Sequence, residues 1–209
     1  MSSRILTILC LLLILPTHSF ATQKPVRWIF EMHGGLFEPE LSDWEQHYDS
    51  SRFPELGFSY GYRFFSVIDL GFSINYGKDK GRGILSSNSE ATGEVNHQIL
   101  PVELFAILRG KLMENQWLVP YIGVGYTRFA YRQDIVDQER IQGSANGQHM
   151  RFGVQLLLDT FDQRSAALMY QRWGVNNSYL YFDVKETTAE INDIPLGGRS
   201  YKVGLLFEL

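Results

Sequence analysis

The sequence predicts an all-β fold, an eight-stranded antiparallel up-and-down transmembrane β-barrel, and three observations lead there. Period-two alternation recurs in eight segments. Along the segments, strand four least cleanly, the large apolar side chains gather on one face, while ions and glycines share the other. The connections alternate between short and long, with the long ones rich in Asp, Glu, Ser, Asn and Gly.

The first 21 residues stand apart from this pattern. "MSSRILTILCLLLILPTHSFA" has Arg4, an apolar run at 5–15, Pro16 and Ser19-x-Ala21. It reads as a secretory signal peptide cleaved after Ala21, leaving residues 22–209 as one barrel domain. The run is too short to span a bilayer as a helix, and Cys10, preceded by Leu9, does not suit lipid modification. Cys10 is the only cysteine, so the mature chain holds together without disulfides. A formal net charge of −4 argues against a nucleic-acid partner.

The eight segments run at 26–37, 53–64, 67–77, 98–109, 118–130, 149–158, 165–173 and 199–209. Strand one carries Trp28, Phe30, Met32 and Leu36 on its apolar face; strand two carries Leu56, Phe58, Tyr60, Tyr62 and Phe64. Strand three, "VIDLGFSINYG", sets Ile68, Leu70, Phe72, Ile74 and Tyr76 against Asp69, Gly71, Ser73, Asn75 and Gly77. Strand four offers Leu100, Val102, Leu104, Ala106 and Leu108, and its Ile99, Phe105 and Ile107 would all point inward. Strand five offers Leu118, Ile122, Val124 and Tyr126; strand six Met150, Phe152, Val154, Leu156 and Leu158; strand seven Ala166, Leu168 and Tyr170. The last offers Tyr201, Val203, Leu205, Phe207 and Leu209. Only Arg128 and Arg172 put charge on this face, both near strand ends.

The opposite face carries Arg27, Glu31, His33, Glu55, Arg63, Asp69, Glu103, Arg109, Arg151, Lys202 and Glu208, interleaved with glycines. A water-soluble barrel buries its aromatics and exposes its ions. Here aromatics gather on one face and matched charges on the other, as an inside-out barrel in lipid requires. The connections at 65–66, 110–117 and 159–164 are short; those at 38–52, 78–97, 131–148 and 174–198 are long. Short periplasmic turns and long outer loops place both termini in the periplasm.

The ending "YKVGLLFEL" resembles the C-terminal pattern by which bacterial outer-membrane barrels are recognised by their assembly machinery, with Lys202, Gly204, Phe207 and Leu209 in the four positions. Leu209 departs from the commoner terminal aromatic. Together with "VPYIGVGY" at 119–126, this makes the mature chain similar to small eight-stranded outer-membrane barrels of the OmpA/OmpX type, with no periplasmic domain expected after the barrel. The resemblance implies the outer membrane of a Gram-negative bacterium, surrounded by lipid and lipopolysaccharide.

Eight strands enclose a lumen that side chains can fill. The inward ions therefore read as a lattice holding the barrel shut, with Arg27 level with Glu208 and Arg63 beside Asp69. A narrow ion path would instead use Glu31, Glu103, Arg151 and Lys202 at its constriction. A lipid A or lipopolysaccharide-modifying acyl hydrolase or transferase would need a serine activated by a histidine. The candidates are His149 and His97, at outer strand ends and expected to be exposed, with Ser178 or Ser200. The His-x-Ser-Asn segment of lipid A deacylases is missing; the nearest stretch, "QRWGVNNS", has no histidine. His33 reads as a hydrogen-bonded filler, and neither a cofactor nor a metal site is expected. The Asn176-Asn177-Ser178 sequon carries no weight in a bacterial protein.

Acidic residues outnumber basic ones in the long loops, which suits a solvated rim. Trp44 and Tyr48 could be contact anchors or interfacial aromatics. "SYLYFDV" at 178–184 alternates again, and an extended outer hairpin there would offer backbone for strand addition by a partner. The sequence thus points to a monomeric, non-enzymatic outer-membrane protein with a structural or surface-interaction role through loops 38–52 and 174–198. An acyl-modifying enzyme is the alternative and a narrow channel the third reading.

Overall fold

Strands of 11 to 19 residues make up most of the chain in a computed structural model, which describes residues 28–40, 51–84, 91–113, 116–135, 141–191, 194–195 and 197–209. They are β1 (Trp28–Pro39), β2 (Phe53–Phe64), β3 (Ile68–Ile84), β4 (Ala91–Arg109), β5 (Leu118–Ile135), β6 (Ile141–Leu157), β7 (Asn177–Ile191) and β9 (Gly198–Glu208), with a two-residue spur β8 (Ile194–Pro195). Each pairs antiparallel with its sequence neighbours, and β9 pairs with both β7 and β1 to close an eight-stranded barrel. The proposed signal peptide lies outside the described residues.

Exposure decides which way the barrel faces. Leu56 is 66% exposed, Leu104 63% and Phe152 47%, whereas Asp69 is 0%, Glu103 2% and Arg151 5%. Apolar side chains point out and ions point in. Ile99, Phe105 and Ile107 are buried inside, as the pattern of β4 predicts. Glycines make room for the bulky interior groups. Phe105 stands opposite Gly71, where an added Cβ would come 2.7 Å from its ring and 2.9 Å from the Gly61 backbone. A Cβ on Gly123 would meet the Arg151 stem at 2.8 Å.

The expected strand seven at 165–173 is instead part of helix α1 (Gln163–Trp173), and the transmembrane strand is β7. Asp162 caps the helix by accepting a hydrogen bond from the Ser165 N–H at 2.9 Å. Gly174 ends it in the left-handed region at φ 71°. The connection expected at 159–164 therefore extends from a 3₁₀ turn (Leu158–Thr160) to Asn176, and Leu158 lies in that turn rather than on β6. Arg172, expected on the lipid face of a strand, sits exposed in the last turn of α1.

The long loops also shrink. β3 to β6 extend well past the apolar band, so much of 78–97 and 131–148 is hairpin strand. Most of 174–198 is β7, and "SYLYFDV" is paired on both sides, with β6 and β9, so it offers no free edge. Trp44 and Tyr48 lie outside the described residues.

No residue of α1 is buried, although Ala166, Met169, Tyr170 and Trp173 form a stripe at i, i+3, i+4 and i+7. Tyr170, Trp173 and Phe161 are all exposed in this connection, the kind of aromatic that suits a headgroup region. An 11-residue helix is marginal by itself, so its cap matters. The Ser165 backbone N–H, and then its hydroxyl, hold the Asp162 carboxyl below the usual carboxylate range. A lowered pKa makes the cap's contribution full above the unfolded value, about 3.9, and lost as pH falls through the folded one. Amide protection of α1, corrected for intrinsic exchange, should therefore fall below about pH 4, and Asp162→Asn should remove that pH dependence. Hydrogen exchange on the folded barrel reads both.

Candidate functional site: the barrel lumen

Inward positions of all eight barrel strands form a stack of charge clusters. Nearest the periplasm, the Glu208 carboxylate of β9 accepts from Arg63 of β2, from Arg109 of β4 at 2.9 Å and from Asn177 of β7 at 2.6 Å. One carboxylate thus ties four strands across the lumen. Arg63 also forks onto Asp69 at 2.6 and 2.9 Å, the neighbour the short turn predicts. The expected Arg27–Glu208 pairing falls partly on a residue that is not described. Arg27 lies outside the described residues, and Glu208 stands opposite Ile29 in the β1–β9 ladder, with its carboxylate taken by the two arginines.

Higher up, Arg151 donates to Asp183 at 2.8 Å and lies 3.6 Å from Glu31. Tyr121 donates its hydroxyl to the same Asp183 oxygen at 2.7 Å. The guanidinium lies over the Phe105 and Tyr121 rings at about 5.4 and 5.5 Å. Next come Lys185 donating to Glu103, and Lys202 donating to Asn75 at 3.2 Å with Glu55 at 3.9 Å. His33 is the filler its position predicts, placed between Asn75 at 2.6 Å and the Tyr181 hydroxyl at 3.0 Å.

Apolar clusters share the lumen with this polar stack. Phe37, Phe53, Ile99, Phe129, Ala145 and Ala189 close the outer side; Val119, Leu157, Tyr179, Tyr181 and Leu206 pack toward the periplasm. The four residues proposed to line an ion path, Glu31, Glu103, Arg151 and Lys202, are lattice members, each facing a partner of its own.

The candidate enzyme residues do not assemble. His97 and His149 are buried in the lumen, at 7% and 2% exposure, rather than exposed at the rim. The Nδ1 of His149 is 2.7 Å from the Thr127 hydroxyl. Ser178 lies at the periplasmic end, its N–H donating to Asp159, while Ser200 faces inward near the outer end, opposite Phe37 and Lys185. An acyl chain would lie outside the wall, and both histidines face away from it.

Asp183 and Lys185 are functional members of the lattice that the loop assignment of 174–198 hid. The alternation of Tyr179, Tyr181, Asp183 and Lys185 with Leu180, Phe182 and Val184 carried the signal.

Replacing one partner of the Lys185–Glu103 pair leaves an uncompensated buried charge, which costs about 3–5 kcal/mol. Glu103→Leu should thus lower the unfolding midpoint in urea, and adding Lys185→Met should restore much of the loss. The shift in gel mobility between boiled and unboiled samples measures the folded fraction.

A family profile described as the outer membrane protein beta-barrel domain matches residues 7–206. No curated protein matches the chain. Among solved structures, Neisserial surface protein A is 14% identical, with a TM-score of 0.54 over 87% of this chain and 96% of that one. OprG from Pseudomonas aeruginosa is 10% identical, with a TM-score of 0.59 over 88% and 96%. The N-terminal β-barrel domain of OprF from the same species is 13% identical, with a TM-score of 0.51 over 90% and 100%. These likenesses concern the fold.

Proposed function

The chain belongs to the outer membrane protein β-barrel family, an integral barrel of the bacterial outer membrane, and from that premise we propose a non-enzymatic role in structural support and surface interaction. The observation that carries this reading is the closed lumen. Interlocked ion pairs and buried apolar clusters fill it, so what remains available to partners is the lipid-facing wall and the outer hairpins.

The same observation weighs against conduction. Among the described residues, every cation of the stack is held by a carboxylate or an amide oxygen, and releasing one strands another. It weighs equally against lipid chemistry, because the candidate histidines are sequestered from the acyl chains. Lys202, Gly204, Phe207 and Leu209 are the positions through which the assembly machinery would recognise the chain. Lys202 is turned into the lumen, while Phe207 and Leu209 lie on the lipid side of β9.

Two measurements test the proposal. The folded protein in a planar bilayer should give no single-channel steps, and clear steps would promote the channel reading. Lipopolysaccharide from cells overproducing the protein should keep its acyl pattern by mass analysis. A loss or gain of an acyl chain that His149→Ala or His97→Ala abolishes would restore the enzyme reading.

A further inference from the structure

Helices in proteins owe most of their stability to an apolar face packed against something, and α1 has no buried residue. Its stripe of Ala166, Met169, Tyr170 and Trp173 therefore needs a cover that the barrel does not complete. Where the helix lies decides what that cover is.

The last turn of α1 is folded over the outer side of the wall. Ser178 shares the outward face of β7 with Leu180, Phe182 and Val184, yet it is 6% exposed where Phe182 is 46%. Its N–H donates to Asp159 at 3.1 Å, and its hydroxyl donates to the Met169 sulfur at 3.9 Å. The Met169 carbonyl in turn accepts from the N–H of buried Val175 at 3.4 Å. Met169 thus rests on the foot of β7, on the side that faces lipid. In the next turn position of the same stripe, Trp173 is 77% exposed.

The tethers of the helix set its depth. β6 leaves the wall at Leu157, whose N–H bonds the carbonyl of exposed Trp117 at 2.8 Å. β7 enters it after Asn176, whose N–H bonds the Glu208 carbonyl at 2.6 Å, one residue from the end of the chain. Both tethers sit on the closing rungs of the barrel, where an exposed tryptophan marks the passage from hydrocarbon to headgroups. A helix of 11 residues, about 16 Å long, held there on the lipid side is continuous with the lipid-facing wall.

Charge narrows the occupant further. Within α1 the charged residues are Arg164 and Arg172, with no acid among them. The acids just before it are committed to the chain itself: Asp159 accepts from Ser178 and Asp162 caps the helix. Arg164 and Gln171 lie across the helix from Tyr170 and Trp173, so one flank is aromatic and the other cationic and polar.

We infer that α1 is an in-plane anchor seated in the headgroup layer of the periplasmic leaflet, with Tyr170 and Trp173 dipping toward the acyl chains and Arg164 and Arg172 meeting the phosphates of anionic phospholipids. The anchor is independent of what the outer hairpins bind.

Cys10, the only cysteine, falls in the proposed signal peptide, so the barrel takes single nitroxide labels. Arg164→Cys, Tyr170→Cys, Gln171→Cys and Trp173→Cys are each labelled and folded into phosphatidylcholine vesicles with or without phosphatidylglycerol. Gel mobility before and after boiling confirms in each variant that the barrel is folded, whatever α1 does. The ratio of oxygen to nickel-chelate collisions should be severalfold higher at 170 and 173 than at 164 and 171. Phosphatidylglycerol should raise it further at 170 and 173, and Arg164→Gln with Arg172→Gln should abolish that additional rise. Equal ratios at all four positions would put the helix in water and overturn the inference. Labels at 170 and 173 that neither reagent reaches would mean a protein cover, the barrel or a second copy, and would overturn it too. So would a depth indifferent to phosphatidylglycerol.

Discussion

Hydrocarbon offers nothing to hydrogen-bond with, and that constraint orders everything else in this molecule. A backbone N–H or C=O left open in the bilayer costs several kcal/mol, so a strand can cross only if both its edges are paired. The antiparallel ladder therefore runs from β1 around to β9 and back onto β1. Closure at eight strands fixes a narrow lumen, and a narrow lumen must be filled by the inward half of the same strands. Once the outward half is committed to apolar groups, the polar residues have only the interior. Ions placed there must cancel in place.

The interior shows how tightly those demands interlock. A large group can cross the lumen only where a neighbouring strand gives up its side chain, which is why Phe105 stands opposite Gly71 and Gly125. The Glu208 carboxylate, near the seam where the sheet closes, is gripped by arginines from β2 and β4 and by Asn177 of β7. Tertiary contacts of such sequence separation cannot form before the sheet curls. The seam is thus locked by the residues that closure itself brings together. A lumen organised this way is filled by the groups that hold it shut.

What could be read in the sequence follows from the same division between lipid and water. Strands one to six were legible because lipid on one side and the lattice on the other force a period of two, and Arg63 beside Asp69 followed from a short turn. The pattern failed wherever lipid stopped acting. At 78–84 and 91–97 the hairpin stands in water, no face need be apolar, and the strand reads as a polar loop. At 165–173, Ala166, Leu168 and Tyr170 mimic a strand. Yet Ala166, Met169, Tyr170 and Trp173 fit a helix equally well, and Asp162 with Gly174 marks its two ends. Taking that stretch as the seventh strand displaced the true one, and with it Asp183 and Lys185. The histidines were misplaced for a related reason: with β4 and β6 longer than the apolar band, His97 and His149 fall inside the wall instead of on its rim.

An outward residue above the apolar band is subject to none of these requirements. It neither fills the lumen nor faces hydrocarbon, and its backbone is satisfied whatever its side chain. Two parts of the wall use that freedom differently. Glu38 and Glu186 neutralise Arg52 and Arg199, with the Arg52 guanidinium also 5.2 Å above the Tyr201 ring, so that part is electrostatically complete as it stands. Arg128 has Val102 and Asn146 as its cross-strand neighbours, and a cation at the hydrocarbon edge costs less when an anion meets it. The fold does not require that arrangement, since Gln at 128 would fit the ladder as well.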